Sequence, residues 1–110
     1  MIQLNLVSPE DVQDLCLELG ISDLYLDPTK LTIDDVRKIM VAMEVTSGKV
    51  STEDLMKGML VEFEHGTARP ETNITNNHPY LTANIALAHL AEFATYYDAL
   101  AEMERKLEEE

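Results

Sequence analysis

Three helix starts stand in the first half of the chain, and they constrain its fold more than any other feature. Ser8-Pro9-Glu10-Asp11 supplies a capping hydroxyl, a proline at the first helical position and acids in the first turn, where the helix dipole favours them. Thr32-Ile33-Asp34-Asp35 repeats the logic as an approximate capping box, and Ser51-Thr52-Glu53-Asp54 does so again. Behind each start apolar residues recur at threes and fours: Val12, Leu15, Cys16 and Leu19; then Val36, Ile39, Met40 and Met43; then Leu55, Met56, Met59, Leu60 and Phe63. That spacing gathers each set on one face of a helix. Gly20, Thr46-Ser47-Gly48 and Gly66 stand where these helices should stop. Shared capping rules account for some of the likeness between segments 32–41 and 51–60.

The rest of the chain fits the same class. Ile2, Leu4 and Leu6 alternate with Gln3 and Asn5, the pattern of a short strand or an extended N-terminal arm packed on helices. Residues 21–31 form a connection with an Asp27-Pro28 turn signal. Residues 67–78 are polar and read as a loop whose Asn and Thr side chains cap their own backbone turns. A last, long helix is predicted from Pro79 toward Leu107, because Ile85, His89, Phe93, Tyr96, Leu100, Met103 and Leu107 form one stripe. Phe93-Ala94-Thr95 is a candidate kink in it, although Ala94 compels no break. The fold class expected is therefore all-α, a small bundle of about four helices with a long C-terminal helix. It is read as a single domain, residues 1–110, with an N-terminal helical part at 1–48 and a helical pair at 49–110.

Composition narrows the function classes. The chain carries 21 acidic residues against 8 basic ones, a formal charge of −13. Such a surface is repelled by phosphate backbones and anionic membranes, so direct nucleic-acid and membrane binding are not expected. A protein partner with a basic surface is the complementary choice. Only 5% of residues are aromatic, and the 6 Met residues fill out an aliphatic core. A small Met-rich domain can keep apolar surface for homo-oligomer formation. The single cysteine, Cys16, has no partner for a disulfide and sits in an apolar stripe, as a small buried hydrophobe would. Met1–Val7 lacks the basic start and long apolar run of a secretion signal, and no stretch reaches the length of a membrane span. A cytoplasmic protein is expected.

The strongest chemical signal is a pair of motifs, Glu62-x-x-His65 and His89-x-x-Glu92, on consecutive helices. Residues three apart on a helix point the same way, so two carboxylates and two imidazoles converge if these helices pack side by side. The leading reading is a buried hydrogen-bond network. His89 lies in the middle of an apolar stripe and must find a partner there, with Glu92, Glu62 or Tyr96 as candidates. The second reading is a metal site with Glu62, His65, His89 and Glu92 as ligands, a donor set suited to Zn, Mn or Fe. The third is proton transfer by a His89–Glu92 pair. No catalytic residue is assigned and no cofactor is expected beyond that alternative metal. His78, beside Pro79, is expected to be an exposed loop residue.

A longer string surrounds these motifs: Gly58-Met59, Glu62-x-Glu64-His65-Gly66-Thr67, Thr72-Asn73-x-Thr75-Asn76, Thr82, Ile85-Ala86-x-Ala88-His89-Leu90-x-Glu92, Tyr96-Tyr97, Leu100 and Met103-Glu104. Over roughly residues 51–104 it resembles a family of small uncharacterised proteins and domains of bacteria and bacteriophages, DUF5661. Leu19-Gly20-Ile21 resembles a short motif placed earlier in that family. The resemblance implies an all-helical unit and a phage or mobile-element origin, and it brings no established activity. Two departures bear on the reading. The family usually has an acid after its Thr-Asn pair, where this chain has Asn77-His78, which weakens a ligand role for the loop. It often has Pro near position 94, where this chain has Ala94, which favours an unbroken last helix.

The function expected from all of this is non-enzymatic protein binding. In a phage setting that means a virion accessory protein or an inhibitor of a host protein, located in the host cytoplasm or the virion.

Overall fold

The computed structural model describes residues 6–46 and 48–109. They form five α-helices: α1 (Pro9–Leu19), α2 (Ile33–Ala42), α3 (Thr52–Glu62), α4 (Pro79–Glu92) and α5 (Tyr96–Glu108). Short 3-10 turns at Pro28–Lys30, Phe63–His65 and Pro70–Thr72 complete the order. Among the described residues there is no strand, and the fold is an all-helical bundle. The expected arm through Ile2 and Leu4 lies outside the described residues; Leu6 is exposed and Val7 packs on the core.

The starts form as their residue types dictate. Ser8 and Thr32 each accept the backbone N–H three residues on, and Asp11 and Asp35 return the bond to the cap's own N–H. Ser51 accepts from the N–H of Asp54 in the same way. Asp35 does more: its Oδ2 also accepts from the Ser22 hydroxyl at 2.9 Å, which ties the connection after α1 to the head of α2. At the other ends, Gly20 takes a left-handed φ of 72°. There the N–H groups of Gly20 and Ile21 return to the carbonyls of Leu17 and Cys16. The second stop falls earlier than the Thr46–Gly48 stretch predicts. Glu44, at φ 59°, adopts the left-handed cap, and Val45 N–H reaches back to Met40 O at 2.9 Å.

The buried faces of all five helices meet in one core that includes Val12, Val36, Ile39, Leu55, Met59, Ala83, Ala86 and Tyr97. Cys16 is buried in it, and burial pushes its thiol up, so it behaves as a small hydrophobe. α3 and α4 form the most extensive contact. Their approach is close because Gly58 and Ala86 face one another: a Cβ on Gly58 would lie 3.0 Å from that of Ala86.

The long C-terminal helix is corrected by the structure, and the count of about four becomes five. Phe93 is extended, with φ −142° and ψ 115°, and Tyr96 N–H closes a turn onto Phe93 O at 2.9 Å. Phe and Thr lose side-chain freedom in a helix, so Phe93 and Thr95 resist a break weakly although Ala94 does not favour one. What decides is tertiary: the turn lets α5 contact both α3 and α4, and buries Tyr97. Phe93, Met103 and Leu107, expected in the apolar stripe, are instead exposed.

The loop from Gly66 to His78 is built by its own side chains, as its composition predicts. Asn77 is fully buried at φ 66°; its Nδ2 donates to Leu24 O at 2.9 Å and Thr67 Oγ1 at 2.8 Å, and its Oδ1 accepts from Thr67 N–H. Asn76 donates to Val7 O at 2.6 Å and thereby fastens the residue before the cap of α1 to the loop. His78 departs from expectation. It is half-buried and caps α4, its Nδ1 accepting from the N–H groups of Tyr80 and Leu81 at 3.1 and 3.3 Å.

Candidate functional site

Glu62 is placed by helical arithmetic. It follows Leu55, Gly58 and Met59 on the buried face of α3, so its carboxylate enters the interior at the helix end. A carboxylate there must be partnered, because burial without compensation costs several kcal/mol. The partner is Tyr97 of α5, whose hydroxyl donates to Glu62 Oε2 at 2.7 Å. Burial first, and then this bond to a carboxylate, push the Tyr97 phenol far above its ordinary value. Its proton therefore stays on Tyr97 and serves Glu62.

Two imidazoles flank the same carboxylate. His65, in the 3-10 turn after α3, lies with Nε2 3.8 Å from Glu62 Oε1. His89 of α4 lies with Nε2 3.7 Å from Glu62 Oε2. Both separations exceed hydrogen-bond length, so the attraction is electrostatic and full only when an imidazole is protonated. His89 is held flat on Tyr96, with ring centroids 4.2 Å apart and planes 5° from parallel. Tyr97 stands edge-on to both rings. On the outer side, Lys57 of α3 pairs with Asp98 of α5 at 2.5 Å.

The structure thus brings together Glu62, His65 and His89 of the residues singled out in the sequence, and it leaves Glu92 apart. Glu92 is exposed at the end of α4, and His89 pairs with Glu62 instead. Among the described residues, no three His, Cys, Asp or Glu side chains are grouped so as to hold a metal ion. The two imidazoles address different oxygens of one carboxylate, which makes Glu62 a hub between them. Sequence reasoning missed the role of Tyr97, which entered only as half of the Tyr96-Tyr97 pair in the longer string. Its signal was its place beside Tyr96, about two turns past His89 in sequence.

A cavity of about 430 Å³ opens elsewhere, between the segment after α2 and α4, lined by Val45, Val50, Leu87, Leu90 and Ala91 among others. None of Glu62, His65, His89 or Glu92 lines it. No described helix is long and apolar enough to cross a membrane.

The model of the family described as "Protein of unknown function (DUF5661)" matches residues 17–106. The match takes in α2 to α4 whole, together with the Glu62 cluster, and reaches well into the N-terminal half. No curated protein and no solved structure matches the chain. With all but the first helix and the extreme C-terminus covered, the chain belongs to the DUF5661 family of proteins of unknown function.

Proposed function

We propose that the protein is a non-enzymatic binding module that docks, through α5, on a protein partner with an apolar groove rimmed by Lys and Arg. The observation that carries this reading is the uncovered stripe of α5: Met103 is 52% and Leu107 60% exposed, on the same face as Leu100. A helix that leaves its apolar stripe in water has surface to bury against a partner. Charge selects the partner's sign. Glu104 and Glu108, one turn apart along the stripe's edge, carry no ion pair among the described residues. On the opposite face Arg105 already bridges Glu102 and Glu109. The Glu62 cluster acts in this reading as the anchor that presents α5. The family's bacterial and phage setting supports a role as a virion accessory protein or an inhibitor of a host protein.

The test is capture from host lysate by the wild-type chain and by a Met103→Ser/Leu107→Ser variant, at low and at high salt. The reading expects a retained protein that is lost both in the variant and at high salt, because exposed charge pairs are screened beyond about 10 Å at 0.1 M. Retention unchanged by the double substitution overturns it.

A further inference from the structure

The apolar stripe of the C-terminal region runs unbroken in sequence through a place where the backbone breaks. At helical spacing, Ile85, His89, Phe93, Tyr96, Leu100, Met103 and Leu107 would all fall within an arc of about 80° on one continuous helix. In the structure they do not share a face, because α4 ends at Glu92 and α5 begins at Tyr96. The three residues between hold no Gly or Pro. Phe93 is 67% exposed, and Thr95 stands at the N-cap of α5 without a side-chain capping bond. Local chemistry therefore does little to hold this turn. Contacts made by α5 hold it: Tyr97 to Glu62, Asp98 to Lys57, and Tyr96 on His89.

We propose that the segment 93–95 is a hinge that straightens, joins α4 and α5 into one helix, and lets two copies of the chain exchange α5. Straightening restores the intrahelical bonds across the break and returns Phe93 to the face of Tyr96 and Leu100. It removes α5 from its own α3. A second copy offers the same α3, with the same Glu62 and Lys57, so the lost contacts are remade between chains without any new complementarity. A continuous helix over residues 79–108 would be about 45 Å long, enough to carry α5 clear of its own body. Each chain carries a charge of −13, so the copies repel one another and added salt promotes the exchange. That is the reverse of the salt effect expected for a basic partner, so the two ideas fail separately.

The hinge itself supplies the control. The turn closed by Tyr96 N–H on Phe93 O, with Thr95 at φ −101° and ψ 17°, has type I character. Ala94 is then its second residue, where Pro is favoured, and the extended Phe93 before it is the conformation that a following Pro requires. Ala94→Pro keeps the turn and forbids the straight helix.

The experiment mixes 14N- and 15N-labelled full-length chains, refolds them together at a concentration on the order of 1 mM, and separates monomer from dimer. A zero-length carbodiimide then couples Lys57 to Asp98, and mass spectrometry reads whether each coupled pair carries one isotope or two. The exchange predicts a dimer fraction that rises with salt, mixed-isotope Lys57–Asp98 pairs in that fraction, and a dimerisation constant lowered at least about a hundredfold by Ala94→Pro. A chain that stays monomeric throughout overturns the proposal. So does a dimer whose Lys57–Asp98 pairs are all of one isotope, since that dimer forms through another face.

Discussion

Tyr97 donates its phenolic proton to the buried carboxylate of Glu62 at 2.7 Å, joining residues 35 apart in the chain. The bond fixes where α5 lies on α3, and His65 and His89 gather around the same carboxylate. The ring of Tyr97 lies over Gly58, one turn before Glu62 on α3. A Cβ at Gly58 would stand 2.6 Å from Tyr97 Cε2.

Two effects compete in Gly58→Ala, and their sizes decide the sign. Alanine in a helix interior gains about 0.5–1 kcal/mol over glycine. Overpacking against a buried ring costs about 1–3 kcal/mol. The variant should therefore be less stable in urea, and amides of α5 should exchange with solvent faster than in the wild type.

The loop before α4 rests on Asn77 lying against Gly66. A Cβ on Gly66 would fall 1.9 Å from Asn77 Oδ1, a position no rotation of a methyl can relieve. Gly66→Ala should cost at least about 2 kcal/mol, the range of buried hydrogen-bond loss and overpacking. Asn77→Asp replaces a donor by an acceptor facing Leu24 O and Thr67 Oγ1, and should destabilise comparably. Urea midpoints with unchanged slope would report both losses.

Acid should weaken the cap of α4. Burial holds the His78 imidazole below its ordinary value of 6.5, with Asp11 opposing part of that shift. Its Nδ1 accepts two backbone N–H bonds and must stay unprotonated to do so. As pH falls through 6.5 the unfolded chain takes up this proton before the folded one does. The stabilisation is thus full above 6.5 and is lost in the window below it, down to the folded value. His78→Asn keeps a capping acceptor that does not titrate. Melting temperatures measured from about pH 7.5 to about pH 5 should fall less steeply in that variant.

Divalent metal should leave stability unchanged. Glu62 is shared between the two imidazoles through different oxygens, and Glu92 lies outside the cluster. Zn, Mn or Fe added to tag-free protein should shift the melting temperature no more than Mg does. A saturable rise with one of them would show ligands rearranging to a site.

Local chemistry was legible in the sequence, and long-range partnership was not. Ser8, Thr32 and Ser51 cap as their residue types require, since a cap involves only its own first turn. The side-chain architecture of the 67–78 loop follows from the same short reach, but the burial of Asn77 depends on Leu24, across 53 residues. The convergence of Glu62, His65 and His89 was readable because i, i+3 spacing fixes direction and the helices are consecutive. The choice of Glu62 over Glu92 by His89 was not, because both carboxylates are within a side chain's reach on paper. Phe93–Thr95 was legible as a candidate kink but not as a full break, for a related reason. Its determinants are Tyr97 and Glu62, while the apolar stripe and Ala94 both argue for continuity.

The central claim is that Glu62 and Tyr97 stabilise the fold as a pair. A double-mutant cycle in urea, with Glu62→Met and Tyr97→Phe made singly and together, measures that coupling. Each single change should cost about 1–3 kcal/mol, because it strands a buried polar partner. The double variant should be more stable than the sum of losses implies, by about 0.5–3 kcal/mol. Losses that add to within about 0.3–0.5 kcal/mol would contradict the account, since they would mean that the two residues act independently.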